Sequence, residues 1–329
     1  MLKDEVYHLL RQRRGETISG SDLARALGVS RTAVWKAAHQ LIDEGAPVEP
    51  LQSGGYRIPP QLDLLDEMEL REELCGSRLG EKILLFDRLD STNNYAKSVA
   101  ADAADGTLVV ARQQTAGRGR MERRFHSPEG GGVYFTIVLR PHFALDALNF
   151  VTLLSAMAVR DAVEKLCGFR PSIKWPNDVL VDGEKLCGIL TESALEAESG
   201  RIQYVLAGIG INIRLGDELP EELRGVATAL DRHCAAPPSR AALIAGVVRE
   251  FDRLYDEGRF IHRRGSLLED YRRDLCWVNE RITILRGGEA YAAVLRGLDD
   301  EGHLVVELPG GGLETLYAGE IKIRRETQI

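Results

Sequence analysis

Apolar residues at Leu2, Val6, Leu9 and Leu10 recur with a helical period and predict a first helix over Leu2–Arg13. Ser19-Gly-Ser-Asp precedes Leu23-Ala-Arg-Ala-Leu27, a short second helix stopped by Gly28. Ser30 is placed to cap a third helix running from Arg31 to about Glu44 and ended by Gly45. Its apolar face is Val34, Ala37, Ala38, Leu41 and Ile42, and its other face offers Arg31, Thr32, Lys36 and Gln40. Val48–Ile58, with Ser53-Gly54-Gly55 in the middle, reads as a two-stranded wing, and Pro59-Pro60 opens a linker. A helix, a short turn with Gly, a helix with polar first turns and a wing make a winged helix-turn-helix pattern, which predicts DNA binding through Arg31, Thr32, Lys36 and Gln40. A small helical docking domain with no DNA role fits the same pattern.

From about Gln61 the chain alternates. Asp63–Leu74 reads as a helix, Lys82–Phe86 as a strand, and Tyr95, Ala96, Val99 and Ala100 as one side of a helix. Thr107–Ala111 and Gly132–Leu139 are strands, and Asn149–Leu166 is a long apolar helix destined for the core. Pro176 forbids a helix around it and pushes Trp175 toward an extended conformation. Val179–Val181 then reads as a strand, Asp182-Gly183 as a tight turn, Leu186–Leu190 as the returning strand, and Tyr204–Ile213 as a further strand. After about Cys276 come five short strands: Arg281–Leu285, Tyr291–Leu295, His303–Glu307, Leu313–Tyr317 and Ile321–Arg324. Their spacing predicts a small antiparallel barrel. The class is therefore α/β (α+β) and multi-domain, divided at 1–62, 63–275 and 276–329.

Composition changes this picture little. With 329 residues the chain outgrows a single ordinary core. It has no apolar run of membrane-spanning length and starts without an apolar leader, so the expected place is the cytoplasm, with no membrane partner. Five scattered cysteines with no Cys-x-x-Cys pair suggest free, mostly buried thiols rather than a metal site. The net charge of −8 is uneven: residues 1–60 carry about +1 and the rest about −9. That asymmetry permits a local DNA-binding face.

Four segments carry candidate chemistry. Asp90-Ser91-Thr92-Asn93-Asn94 follows a strand and opens a helix, so Ser91 or Thr92 is either an N-cap or part of a grip on a polar ligand. Gln113-Gln-Thr-Ala-Gly-Arg-Gly-Arg120 is a loop whose backbone can approach a phosphate closely and whose guanidiniums suit phosphate or carboxylate oxygens. Lys174-Trp175-Pro176-Asn177-Asp178 to Lys185 places two amines, an amide and a carboxylate on a hairpin. In Tyr204–Ile213, Gly208, Gly210 and Asn212 share one face, and two glycines there suggest something flat against the sheet, a purine or bicyclic ring, or else tight helix packing.

In this order, Ser91-Thr92-Asn93, Gln114 with Gly117-Arg118-Gly119-Arg120, Lys174-Trp175-Pro176-Asn177-Asp178 with Lys185, and Gly208-Ile209-Gly210-Ile211-Asn212 closely resemble the biotin protein ligases. The likeness covers nearly the whole chain and includes the repressor-like N-terminus of the bifunctional members. It implies a central mixed-sheet, class II synthetase-like ligase domain and an SH3-like C-terminal barrel. It also implies activation of biotin with ATP and Mg2+ to biotinyl-5′-AMP and pyrophosphate. Transfer follows, to one lysine of a biotin carboxyl carrier protein of acetyl-CoA carboxylase or a related carboxylase.

By the same resemblance Ser91, Thr92, Asn93 and Gln114 hold the ureido end of biotin, and Arg118, Gly119, Arg120 and Lys185 sit near its carboxylate and the α-phosphate. Lys174, Asn177, Gly208, Gly210 and Asn212 serve ATP, and the stretch from Arg214 to Val226 helps cover adenine. Arg118 and Lys185 are the catalytic cations, and Asp178 is a candidate base for the acceptor lysine. Repression of biotin-synthesis genes through operator DNA, and a homodimer formed on adenylate binding, are further implications. Met121-Glu122-Arg123-Arg124-Phe125 departs from the family's Gly and Trp: Glu122 lowers the loop's positive charge and Phe125 lacks an indole donor. Two other readings stay open. One is a ligand-sensing transcription factor without ligase activity, which would need neither adenylation cation; the other is a lipoate or octanoate ligase-like acyltransferase.

Overall fold

The computed structural model of the chain describes all residues except 45, 53, 60–62, 64, 122, 197, 217–218, 257–259, 318–320 and 326–329. Gly45 as a helix stop, Ser53 of the wing turn, Pro60 of the linker and the charge of Glu122 thus lie outside the described residues. The chain forms two compact units, Met1–Leu64 and Leu65–Ile329.

In the first unit, helix α1 (Leu2–Gln12) is followed by strand β1 (Ile18–Ser19), helices α2 (Gly20–Leu27) and α3 (Arg31–Asp43), and strands β2 (Glu49–Pro50) and β3 (Gly55–Arg57). Ser19 and Ser30 cap α2 and α3, each accepting the amide three residues on. Val6, Leu10, Leu23, Val34, Ala38 and Leu41 close the core, so the 3.6-residue pattern in the sequence is the packing pattern. The two-stranded wing forms as expected, β2 pairing antiparallel with β3, and one strand is added: β1 pairs with β3 on its other side, giving a three-stranded sheet in the order β1-β3-β2. Two residues preceding a helix are too few to carry a strand signal.

The second unit begins with α4 (Glu67–Glu73), shorter than expected because Asp66 caps it. Strands β4 (Ile83–Leu89), β5 (Thr107–Gln114), β6 (Gly132–Leu139), β7 (Ser172–Lys174), β8 (Asp178–Val181), β9 (Glu184–Leu195) and β10 (Ile202–Asn212) make a mixed seven-stranded sheet. Its order is β4-β5-β6-β10-β9-β8-β7. Only β4 and β5 run parallel, joined over α5 (Thr92–Val99); the other neighbours are antiparallel. The apolar helix α6 (Leu148–Cys167) and α7 (Arg240–Tyr255) bury one sheet face against Leu108, Val110, Phe135, Ile137, Val205 and Ile209. On the opposite face α5 packs with Val109, Val138, Tyr204 and Leu206, leaving the stretch around Thr136, Gly208, Gly210 and Asn212 for the site. Helices α8 (Arg264–Asp274) and α7 are additional to the elements expected from the sequence, although Ala241, Ile244, Val248, Phe251 and Tyr255 of α7 do recur at helical spacing.

Arg160 of α6, 1% exposed at its side chain, is enclosed by Asp161, Asp270 and Asp274 at 2.6–2.7 Å, tying α6 to α8. The final strands β11 (Arg281–Arg286), β12 (Glu289–Leu298), β13 (Leu304–Glu307), β14 (Leu313–Leu316) and β15 (Ile321–Arg325) form a five-stranded antiparallel sheet in the order β14-β13-β12-β11-β15. Its inward residues, Ile282, Leu295, Leu304 and Val306 among them, join the same core as α6 and α7. All five cysteines are free, but only Cys187 is buried; Cys75 is exposed and the others are half-buried, so the expectation of mostly buried thiols is corrected. No described helix is long and apolar enough to cross a membrane.

Candidate active site

The segment from Lys174 to Lys185 folds as the sequence suggests, with one addition. Asp182 and Gly183 take φ of 51° and 84°, the pair of left-handed conformations that a two-residue hairpin turn requires. Ahead of that hairpin, Ser172–Lys174 pairs with β8, so Trp175-Pro176-Asn177 is itself a turn between strands. The result is a meander that holds four polar side chains in fixed register.

Lys185 Nζ stands 2.6 Å from Asp178 Oδ1, an ion pair off the hydrogen-bonding line, which leaves that enclosed oxygen without a hydrogen bond. Asn177 is locked: its amide nitrogen donates to Ile189 O at 2.9 Å, and its oxygen accepts Arg120 Nη1 at 3.2 Å. Lys174 Nζ lies 5.3 Å from the centre of the Trp277 ring. Burial pulls the Lys174 ammonium below the ordinary lysine range, opposed by Asp178 and reinforced by Lys185. Burial likewise lowers Arg120, with Asp178 opposing it. Asn212 donates to Thr228 O at 3.0 Å, and β9 is tied to the following chain through Lys185 N to Val226 O and Thr228 N to Lys185 O. Arg120, Lys174, Asn177, Asp178, Lys185 and Asn212 thus line one chamber of about 240 Å³, bordered also by Leu215, Leu223 and Val226. Asp178 is the one carboxylate among the described lining residues.

A second, smaller chamber of about 20 Å³ lies beside it, lined by Ser91, Thr92, Asn93, Gln114, Gly208 and Gly210. Here most polar groups are neutral and already paired. Gln114 Oε1 accepts Thr92 N at 2.8 Å, and Gln114 Nε2 donates to Ser127 Oγ at 2.9 Å. Thr136, in the middle of β6, reaches Asn93 Oδ1 at 2.7 Å, while Asn93 Nδ2 donates to Leu190 O and to Glu192 Oε2. Ser91 occupies the N-cap position of α5, is 2% exposed, and makes no capping bond. The capping reading therefore fails for its hydroxyl, which remains available to a ligand.

The structure groups Gly208 and Gly210 with this smaller chamber, not with Lys174 and Asn177. A Cβ at Gly208 would lie 2.0 Å from Asn93 Oδ1; one at Gly210 would lie 2.6 Å from the Phe125 ring. The flat group against the sheet in this structure is thus the chain's own Phe125, which lines both chambers and has Lys185 Nζ 5.9 Å from its ring centre. Gly119 N to Arg123 O and Phe125 N to Gly117 O fold the arginine loop back on itself. Arg118 also lines both chambers, but its guanidinium is engaged by Asn94 Oδ1 at 2.9 Å and Glu192 at 3.1 Å.

Reading the sequence missed Thr136, Glu192, Trp277 and Ile323, the last of which lines the larger chamber. Thr136 had a signal, a small polar residue in a largely apolar strand; Trp277 and Ile323 had none, because both come from parts of the chain far along the sequence, a turn and the last strand.

On the first unit, Arg31, Thr32 and Lys36 are exposed on α3 as expected. Gln40 is exposed too, but its amide donates to Glu44, itself paired with Lys3.

Residues 85–212 match the biotin/lipoate A/B protein ligase family, residues 3–57 an HTH domain, and residues 278–324 the biotin protein ligase C-terminal domain. The bifunctional ligase/repressor BirA of Bacillus subtilis is 38% identical over 98% of this chain and 98% of its own length. The Escherichia coli protein of the same name is 28% identical over 94% of each. The biotin–[acetyl-CoA-carboxylase] ligase of Mycobacterium tuberculosis is 32% identical, spanning 78% of this chain and 95% of that protein. Among solved structures, the biotin protein ligase from Aquifex aeolicus in complex with biotin and ATP superposes with a TM-score of 0.64 at 27% identity, covering 75% of this chain and all of that one. Because the correspondence runs from the helix-turn-helix through the ligase sheet to the C-terminal strands, the chain belongs to the biotin protein ligase family, among its bifunctional ligase/repressors.

Proposed function

We propose that the chain activates biotin with ATP, forming biotinyl-5′-AMP and pyrophosphate, and passes biotin to one lysine of a biotin carboxyl carrier protein. We also assign it repression of biotin-synthesis genes. The observation that carries the ligase reading is the larger chamber, where Lys174, Lys185 and Arg120 converge around Asp178 beside a neutral chamber sized by Gly208 and Gly210. Three like charges held together are costly unless a polyanion joins them, and a triphosphate meeting a carboxylate is such a polyanion.

In the first step a biotin carboxylate oxygen bonds to the α-phosphorus and pyrophosphate leaves. Lys185 and Arg120 offset the charge gathered there, and Arg118 joins them once released from Glu192. In the second step the carrier's amine attacks the acyl carbon and AMP leaves; Asp178 takes the amine's proton when Lys185 turns to the ligand. Ser91, Thr92, Asn93 and Gln114 hold the ureido end of biotin; Asn177 and Asn212 face the nucleotide, with the stretch 214–226 beside it.

Among the described residues no group of three or more His, Cys, Asp or Glu gathers as a metal site, and Asp178 is already paired with Lys185. Mg2+ therefore fits as MgATP, held by phosphate oxygens and water, where it neutralises phosphate charge. The proposal extends to the division 1–62, 63–275 and 276–329, to a class II synthetase-like centre and SH3-like end, to a homodimer promoted by the adenylate, and to the cytoplasm.

Incubation with MgATP, a carboxyl-carrier domain and either biotin or lipoate, read by the carrier's mass, tests this. A biotin mass increment is expected; a lipoate increment, or none, would overturn the ligase reading. Asp178→Asn transferring preformed adenylate at the normal rate would remove the base role alone.

A further inference from the structure

Trp35 is the large hydrophobic residue most at odds with its surroundings among the described residues of the first unit. It sits in the second turn of α3, where a helix this amphipathic should be polar, and it is 53% exposed. The buried side of α3 is Val34, Ala37, Ala38 and Leu41, and Trp35 takes no part in it. Thr32, Trp35, Lys36 and His39 instead fall within about a third of the helix circumference. The indole is not loose: its ring centre lies 4.3 Å from that of His39, one turn further on. Of the chain's other two tryptophans, Trp175 is buried and donates its indole N–H to Gly302 O, while Trp277 is half-buried under Lys174. An indole held in water next to Arg31 and Lys36 indicates a partner that is anionic nearby and apolar at one point.

We propose that Trp35 reads thymine, its indole resting on C5-methyl groups in the major groove of duplex DNA while Arg31 and Lys36 meet phosphates or base edges. This rests on the DNA-binding reading of the first unit and names the base class it selects. The major groove is wide enough to admit a helix, and the one apolar group it presents is the thymine methyl. The basic residues beside Trp35 match the charge of the phosphate backbone. Gln40, drawn to Glu44 at the acidic end of the helix, is the less suited reader.

The test uses the full chain with biotin and MgATP, and a duplex that the protein itself selects from a random library. Thymine is replaced by uracil one position at a time, which removes only the methyl, and affinity is measured by fluorescence anisotropy. Losing a buried methyl should weaken binding roughly fourfold at one or two positions. Trp35→Ala should bind the thymine duplex correspondingly less well and be indifferent to uracil there, and Trp35→Phe should keep part of the thymine preference. Because Trp35 is outside the core, both variants should ligate biotin to a carrier at the normal rate. If uracil costs nothing at every position, or if Trp35→Ala stays as methyl-sensitive as the parent, the inference is overturned while DNA binding stands. If no duplex is enriched, both fall. Should Trp35→Ala instead change the oligomeric state without DNA, the indole belongs to a protein contact and the inference is likewise overturned.

Discussion

The two chambers of the site are built on the same sheet face but in different ways. The smaller one is mostly a set of hydrogen bonds between neutral groups already made, Gln114 with Thr92 and Ser127, Thr136 with Asn93, Asn93 with Leu190, and its one cation among the described lining residues, Arg118, is paired with Glu192. The larger one gathers Lys174, Lys185 and Arg120 around a single carboxylate, and burial disfavours the charge on two of them. The first is preorganised for a ligand that replaces water; the second is under electrostatic stress that an anionic ligand relieves. Recognition and chemistry are therefore separated, with Phe125 standing between them.

The largest effect should come from Lys185→Ala. If the charged chamber stabilises the transition state, biotin-dependent ATP–pyrophosphate exchange should fall by about 10²–10³-fold with biotin affinity changed far less. An equal loss in both would erase the distinction between the chambers.

Next come the glycines. Gly208→Ala drives a methyl into Asn93, inside a network that cannot give, and overpacking of this kind costs about 1–3 kcal/mol, to be seen by calorimetry as lost biotin binding and lowered Tm. The atoms nearest a methyl at Gly210 all belong to the Phe125 ring, so the double variant with Phe125→Ala should recover where Gly208→Ala with Phe125→Ala does not.

Lys174 supplies a pH test. Its lowered pKa means that, between that value and the ordinary lysine value of 10.5, the unfolded chain binds more protons than the folded one. Stability should thus rise with pH across that window in urea titrations. Nucleotide affinity should fall across the same window as the ammonium is lost. Lys174→Gln should flatten both limbs.

The smallest effect belongs to Ser91→Ala. Its hydroxyl caps nothing, so biotin affinity should drop by about 0.5–1.5 kcal/mol while Tm holds. A lowered Tm with unchanged affinity would return Ser91 to a structural role.

Much of this was legible in the residues. The helix cap at Ser30 and the Asp182-Gly183 turn depend on neighbours within a few positions, and both stand where the pattern put them. The alternation that set Gly208, Gly210 and Asn212 on one face is equally local. The division of labour among those residues was not legible. Ser91 takes the N-cap position without capping, and the glycines face Asn93 and Phe125, because β6, β9 and β10 bring chain from far apart onto one surface.

The amino-acid sequence by itself determined most of the elements, the order of the four polar segments and the family they signal, since periodicity, capping and turn chemistry act over short range. Only the tertiary structure decided that those segments form two chambers rather than one. It set Trp277 beneath Lys174, brought Ile323 to the chamber wall, turned Arg118 toward Glu192, and left Trp35 facing water. Each of these depends on which strands pair, or on what packs against a helix, and such pairings are selected by burial across the whole chain rather than by any residue's neighbours in it.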